Sequence, residues 1–171
     1  MTSSNFTPLG KGLRVAGSAP ARLDHTFFEN EVRPMLGSIL LRKGWITPER
    51  LDEALVAGKA TGMRLGELLL SRGWLFEGEL ALALAEQFGL EYIDLAVRSV
   101  DPDAARLLPL EVARRMFAVP VRFLGSDRLL VAVADPGDAD VAALEAILCM
   151  NVTLVVGERS AIQVAWRHLR H

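Results

Sequence analysis

Two stretches decide the architecture: MLGSILLRKGWITPERLDEALVAG, residues 35–58, and RLGELLLSRGWLFEGELALALAEQ, residues 64–87. A shift of 29 positions lays one on the other without a gap and gives nine identities in 24 positions. They are Leu36/Leu65, Gly37/Gly66, Leu40/Leu69, Leu41/Leu70, Gly44/Gly73, Trp45/Trp74, Leu51/Leu80, Ala54/Ala83 and Leu55/Leu84. A repeat of this length is one supersecondary unit that needs its neighbour to bury its apolar face. Each copy reads as a short helix, a Gly-Trp turn and a longer helix. Leu36, Ile39 and Leu40 follow the helical period, and Gly44 ends the run. Thr47-Pro48 is a helix start, with Thr47 at the N-cap and Pro48 at the first helical position. Leu51, Ala54 and Leu55 form the inward stripe of a helix running to about residue 57, and Gly58–Gly62 is the connector. In the second copy Leu65, Leu68 and Leu69 make the short helix and Gly73 stops it. Glu77–Gln87 is the longer one, with Leu80, Leu84 and Phe88 inward, and Gly89 breaks it.

Upstream, residues 1–22 are rich in Ser, Gly, Pro and Ala and read as a mobile tail. Asp24–Val32 reads as a helical lead-in, with Phe27 and Phe28 available to pack and His25 as a surface or capping histidine. Downstream, Glu91–Leu95 alternates like a short strand. Asp101–Met116 is helical with a break at Leu107-Leu108-Pro109. Val119–Leu124 and Arg128–Ala134 flank Gly125-Ser126-Asp127 as a hairpin. Asp135-Pro136-Gly137-Asp138 is a turn that caps a helix over residues 139–148, with Cys149 as inert core at its end. Asn151–Val156 is a strand, and Ser160 caps the last helix. The expected fold is α+β: a tandem helical-hairpin bundle over residues 23–90, then a small α/β subdomain over 91–171 in the order αββαβα.

Composition narrows the function. The chain has 171 residues, 51% of them hydrophobic, and a net charge of −2, which gives no overall pull toward nucleic acid. One cysteine excludes an intramolecular disulfide and, with no signal-peptide pattern, predicts a reducing cytoplasm. No apolar run reaches the ~18 residues of a membrane span. There is no Gly-x-x-x-x-Gly-Lys-Ser/Thr phosphate loop, no nucleophile–base pair and no metal-ligand spacing among three histidines and one cysteine. A non-catalytic chain without a cofactor is the expectation. Glu77, Glu79 and Glu86 read as a solvated helix face, and Trp45 and Trp74, each after a helix-ending glycine, as packing residues.

Arg64-Leu65-Gly66 … Gly73 … Leu80 … Leu84 … Gln87 resembles the motif of the MshEN domain, found at the N-terminus of type II secretion and type IV pilus assembly ATPases. Leu108-Pro109, Ala113-Arg114-Arg115, Val119-Pro120-Val121, Leu129–Pro136 and Ile162 resemble that family's α/β portion, so the likeness spans about residues 35–170. The resemblance implies a cyclic di-GMP site, each motif copy holding half of the dinucleotide. Carried over, the contacts are Arg64, Leu65, Gly66, Leu80, Leu84 and Gln87 from copy two, and Leu36, Gly37, Leu51 and Leu55 from copy one. The residue types suit the task. Arginine presents a planar charged fork to phosphate or the Hoogsteen edge of guanine. Glycine lets backbone N–H groups approach closely, and glutamine both donates and accepts. The resemblance also implies partners, namely a secretion or pilus ATPase or an inner-membrane platform protein, and a cytoplasmic location peripheral to the inner membrane.

Copy one departs from the motif: Met35 stands where arginine is expected and Gly58 where glutamine is expected, with Arg33 and Lys59 nearby. One charge-assisted bond is worth about 1.5–3 kcal/mol, so its loss weakens binding about tenfold to hundredfold. A weakened site, a site completed by a second molecule and a lost site are all open. The expected function is a regulatory binding and interaction module. The alternatives are a pure docking module and an accessory domain of a membrane glycosyltransferase-type system, acting as part of a longer chain or in trans.

Overall fold

The computed structural model describes residues 35–169. The expected tail, the lead-in helix with His25, Phe27 and Phe28, and Arg33 lie outside the described residues. Each repeat begins with the same backbone. Met35 (φ −68°, ψ 141°) precedes α1, Leu36–Arg42, and Arg64 (φ −69°, ψ 149°) precedes α3, Leu65–Ser71. Both short helices close in the left-handed region at a glycine, Gly44 at φ 70° and Gly73 at φ 66°. The N–H of the following tryptophan returns to the carbonyl of Leu40 or Leu69, at 3.1 and 3.0 Å. That closure needs a positive φ, which is why each copy spends a glycine there. The longer helices are α2, Pro48–Thr61, and α4, Glu77–Phe88. Thr47 Oγ1 caps α2 by accepting from Arg50 N at 3.4 Å. Phe76 at the matching place cannot, and there Glu79 Oε2 accepts from Phe76 N at 3.0 Å.

The two hairpins exchange partners. α1 packs on α4, and α3 on α2. Between them Ile39, Leu40, Ala54, Leu68, Leu69 and Ala83 are buried. Ion pairs follow the same exchange: Arg42 and Lys43 meet Glu86, and Arg72 meets Glu53. Trp45 and Trp74 pack half-buried on this core. Lys43 lies 5.6 Å from the Trp45 ring, and Arg50 and Arg72 lie 5.5 and 4.8 Å from that of Trp74. Their role is packing, as the sequence suggests.

Beyond α4 lies a mixed four-stranded sheet in the order β1-β4-β3-β2. The strands are β1 (Glu91–Tyr92), β2 (Ala118–Phe123), β3 (Arg128–Val133) and β4 (Asn151–Val156). β2 and β3 form the antiparallel hairpin, while β4 runs parallel to both β3 and β1. Pro120 is tolerated because β2 is an edge strand, and its register shifts between Pro120 and Arg122. The helices are α5 (Pro102–Ala105), α6 (Leu110–Met116), α7 (Val141–Leu148) and α8 (Arg159–Ala165), with a 3-10 turn over Trp166–Leu169. Val119, Val121, Leu129, Val131, Leu144 and Ile162 are fully buried in the sheet core. α4 joins the layers: Ala81, Leu84 and Ala85 pack against Val156 of β4. The fold class is as expected, an α+β protein with tandem helical hairpins and a sheet portion, whose order is βααββαβα once the short β1 and the split α5–α6 are counted.

Several local expectations are corrected. α2 runs on through Gly58 to Thr61, because Gly62 (φ 73°), not Gly58, takes the left-handed cap. Leu55 does not face inward; it is 45% exposed, and among the described residues no sheet packs on α2 as one packs on α4. The strand after α4 is only two residues long. α7 is capped by Asp140, whose carboxylate accepts from Ala143 N at 3.0 Å, rather than by Asp138. α8 begins after Glu158, and Ser160 N instead donates to Glu77 Oε2 at 3.0 Å. Cys149 is exposed in the left-handed region (φ 52°) at the end of α7, so it is a helix terminator and not core. Glu77, Glu79 and Glu86 are not a merely solvated face, since each holds a partner named above.

The packing predicts unequal costs at two leucines, one buried between the hairpins and one left exposed on α2. Leu69→Ala opens a cavity between α2 and α3 and should destabilise by about 2–5 kcal/mol. Leu55→Ala should stay within about 0.5 kcal/mol. Urea unfolding of both variants checks the pair.

Candidate functional site

α3 and α4 form one wall of a cavity of about 380 Å³, and the loops at the edge of the sheet form the other. Arg64, Leu65, Gly66, Leu80, Leu84 and Gln87 of the second repeat all line it, with Leu36 from the first. Their convergence has a local cause. A Cβ on Gly66 would lie 2.9 Å from Leu80 Cδ1, so a larger residue there would push the end of the Leu80 side chain aside. The equivalent Gly37 would place a Cβ 3.1 Å from Leu51 Cδ1. Gly37, Leu51 and Leu55 lie outside the cavity lining. Gly37 and Leu51 are spent on each other, and Leu55 faces solvent. At the two divergent positions, Met35 is 76% exposed and Gly58 is inside α2.

The opposite wall was not read from the sequence as part of a site. It carries Arg115, Phe117, Asp135, Asp138 and Arg159, and Glu67 joins from α3. Asp135-Pro136-Gly137-Asp138 is a turn, as expected, with Asp135 Oδ1 accepting from Gly137 N at 2.8 Å. Its two carboxylates do more than turn the chain. Arg64 Nη1 donates to Asp135 Oδ2 at 3.0 Å and to Asp138 Oδ2 at 2.7 Å, and Nη2 donates to Asp138 Oδ1 at 2.5 Å. These bonds, with Asp138 contributing most and its charge next, raise the Arg64 pKa above its ordinary value. Arg64 is therefore a permanent cation already held by two anions. The sequence signal for this pairing was available only as two acids flanking a Pro-Gly turn; the 71-residue separation hides the partner.

Arg159 reaches across to Glu67 Oε1 at 3.8 Å. On the same side, Tyr92 Oη donates to Glu158 Oε1 at 3.0 Å. The site thus mixes three guanidinium groups with several carboxylates over an apolar floor of leucines. Among the described residues no group of three His, Cys, Asp or Glu side chains could hold a metal ion, and no helix is long and apolar enough to cross a membrane. The chemistry offered is recognition: charge-assisted bonds to an anion, and flat apolar surface beneath a ring.

Known proteins share this fold. Residues 88–171 match the MshEN domain family. A solved structure of MshE with cdg superposes on 81% of this chain and 100% of its own, at 36% identity and a TM-score of 0.67. The chain belongs to the MshEN domain family. Among curated relatives, the type IV pilus assembly ATPase PilB of Thermus thermophilus is 44% identical over 109 residues, 63% of this chain. Bacteriophage adsorption protein B of Escherichia coli is 35% identical over 138 residues, 80% of this chain. This MshEN chain spans 12% and 18% of the length of those two relatives. The family match begins at residue 88, so the tandem repeat that decides the helical half lies ahead of it.

Tyr92 gives a pH signature of the wall beside α4. It is the one tyrosine in the chain. Burial first, then its bond to Glu158, pushes its pKa up to about 12 from 10.0. An acid whose native pKa is raised contributes stability that is intact below the unfolded value and lost as pH climbs from there to the native value. Stability should therefore fall between about pH 10 and 12. Glu158→Gln should move the ultraviolet phenolate titration toward the free value; an unmoved midpoint would remove Glu158 as a cause.

Proposed function

We propose that this MshEN domain is a non-catalytic regulatory module that binds cyclic di-GMP through its second repeat. The observation that carries the reading is the gathering of Arg64, Leu65, Gly66, Leu80, Leu84, Gln87 and Leu36 on one cavity. Support comes also from MshE, solved with cdg, which we read as cyclic di-GMP, and similar over its whole solved length. In this reading Arg64 meets a phosphate or the Hoogsteen edge of one guanine, trading part of its bonding to Asp138 for the ligand. Leu65, Leu80 and Leu84 lie beneath the ring, and Gln87 meets an edge. The second half of the dinucleotide lies toward copy one, where Leu36 supplies apolar surface and Met35 supplies no donor. A site built this way is weaker than one with two intact copies. The output is contact with a secretion or pilus ATPase or its inner-membrane platform, at the cytoplasmic face.

One observation favours a second reading, a docking module without ligand. Arg64, the strongest anion-binding group of the motif, is already occupied by two carboxylates.

Calorimetric titration with cyclic di-GMP, with GTP and cyclic di-AMP as controls, tests the proposal. Selective micromolar or tighter binding is expected, and no heat from a folded sample would leave the docking reading. Arg64→Ala should abolish binding while the melting temperature barely moves, because exposed ion pairs contribute about 0–1 kcal/mol. Met35→Arg should tighten binding about tenfold or more, since its backbone matches that of Arg64. The single change is cleaner than adding Gly58→Gln, as a Cβ at residue 58 would sit 3.1 Å from Met63 O.

A further inference from the structure

Phe117 caps α6 in the left-handed region, at φ 43° and ψ 55°. A bulky side chain rarely adopts that conformation, and a glycine there would turn the chain without strain. Such outliers persist where the surroundings over-determine them, and they gather at ligand sites. Here the turn aims the ring at the cavity, and the ring carries a load on each side. Behind it, Trp166 packs at 5.5 Å between centroids, tilted by 43° and pinned by its Nε1 donating to Ala118 O at 3.1 Å. In front, Arg159 lies over the ring with its guanidinium carbon 3.6 Å from the ring centroid, a close cation–π contact. Trp166, Phe117 and Arg159 form a column that runs from the sheet core to the cavity lining. A guanidinium has two faces. One is covered by Phe117, while 44% of the Arg159 side chain stays exposed.

We propose that Arg159, held over Phe117, is a stacking platform for a purine base of the ligand, facing the motif helices from the sheet side. The inference rests on the cyclic dinucleotide reading above and deepens it. The platform offers, from the second wall, a polar contact that Met35 of copy one does not supply. Guanidinium planes stack on nucleobases as aromatic rings do, and they remain charged at every physiological pH. Glu67, 3.8 Å from Arg159 Nη1, steadies the plane from the motif side. Plane and charge can be separated experimentally, because lysine keeps the charge and loses the plane.

The test is a cyclic di-GMP titration of the full chain as wild type, Arg159→Lys, Arg159→Ala and Phe117→Leu, with circular dichroism of the guanine band recorded on each complex. Arg159 is exposed, so its variants should fold as wild type does. Arg159→Lys and Arg159→Ala are expected to weaken binding alike, about tenfold or more, and to lose the induced guanine signal. Phe117→Leu should weaken binding in the wild-type background and add nothing on top of Arg159→Ala. Wild-type affinity in Arg159→Lys would overturn the platform and leave a point charge. Wild-type affinity in Arg159→Ala, with Arg64→Ala abolishing binding, would overturn it while the cyclic di-GMP reading stands. No binding by the wild-type protein would overturn both.

Discussion

The contact on which the rest depends is the close approach of α3 to α4 at Gly66 and Leu80, together with the docking of α4 on β4. Gly66 leaves room for the Leu80 side chain, and the same helix buries Ala81, Leu84 and Ala85 against Val156, with Leu80 packed beside them. α4 is thereby shared by two cores. Remove that sharing and the helical hairpins have no fixed relation to the sheet, and the cavity between them has only one wall.

The same constraint explains why two nearly identical repeats behave differently. Leu55 and Val56 occupy the positions of Leu84 and Ala85, yet they are exposed. The cause lies in connectivity rather than in propensity. Only the second copy runs straight into β1, which pairs with β4 and brings α4 down onto the sheet. The first copy ends at Gly62 and leads only into its own twin. Copy one therefore leaves this face of α2 exposed, and it is also the copy that carries Met35 and Gly58 at the polar motif positions. Copy two is the half that has a second wall, and it is the half that keeps Arg64 and Gln87.

Charge at the site is balanced across that gap. Arg64 faces Asp135 and Asp138, and Arg159 faces Glu67, so each wall presents a cation to the other's carboxylates. These groups are partly exposed, where ion pairs are weak and exchange readily with solvent or ligand anions. Such pairs hold a recognition site in a defined state without committing much free energy to it. The Trp166–Phe117–Arg159 column differs: its order comes from packing and backbone conformation, so it is preset whether or not the ion pairs are made.

By itself the sequence determined what depends on neighbours along the chain. The two Gly-Trp helix endings, the Thr47 cap, the hairpin around Gly125 and the order of helices and strands follow from local sterics and periodicity. The motif positions of copy two were read from the resemblance to the family's motif, and the repeat showed where copy one departs from it. Other features needed the tertiary structure, because they join residues far apart in the chain. Nothing near Leu55 says that its face goes uncovered; that depends on where β1 pairs. Nothing near Asp138 says that it turns from helix cap to partner of Arg64, and Ser160 loses its capping role to a carboxylate on α4. Phe117 and Arg159 carry no local pattern at all. They meet because the α6–β2 turn and the start of α8 are brought to the same edge of a sheet whose strand order is not the order of the chain.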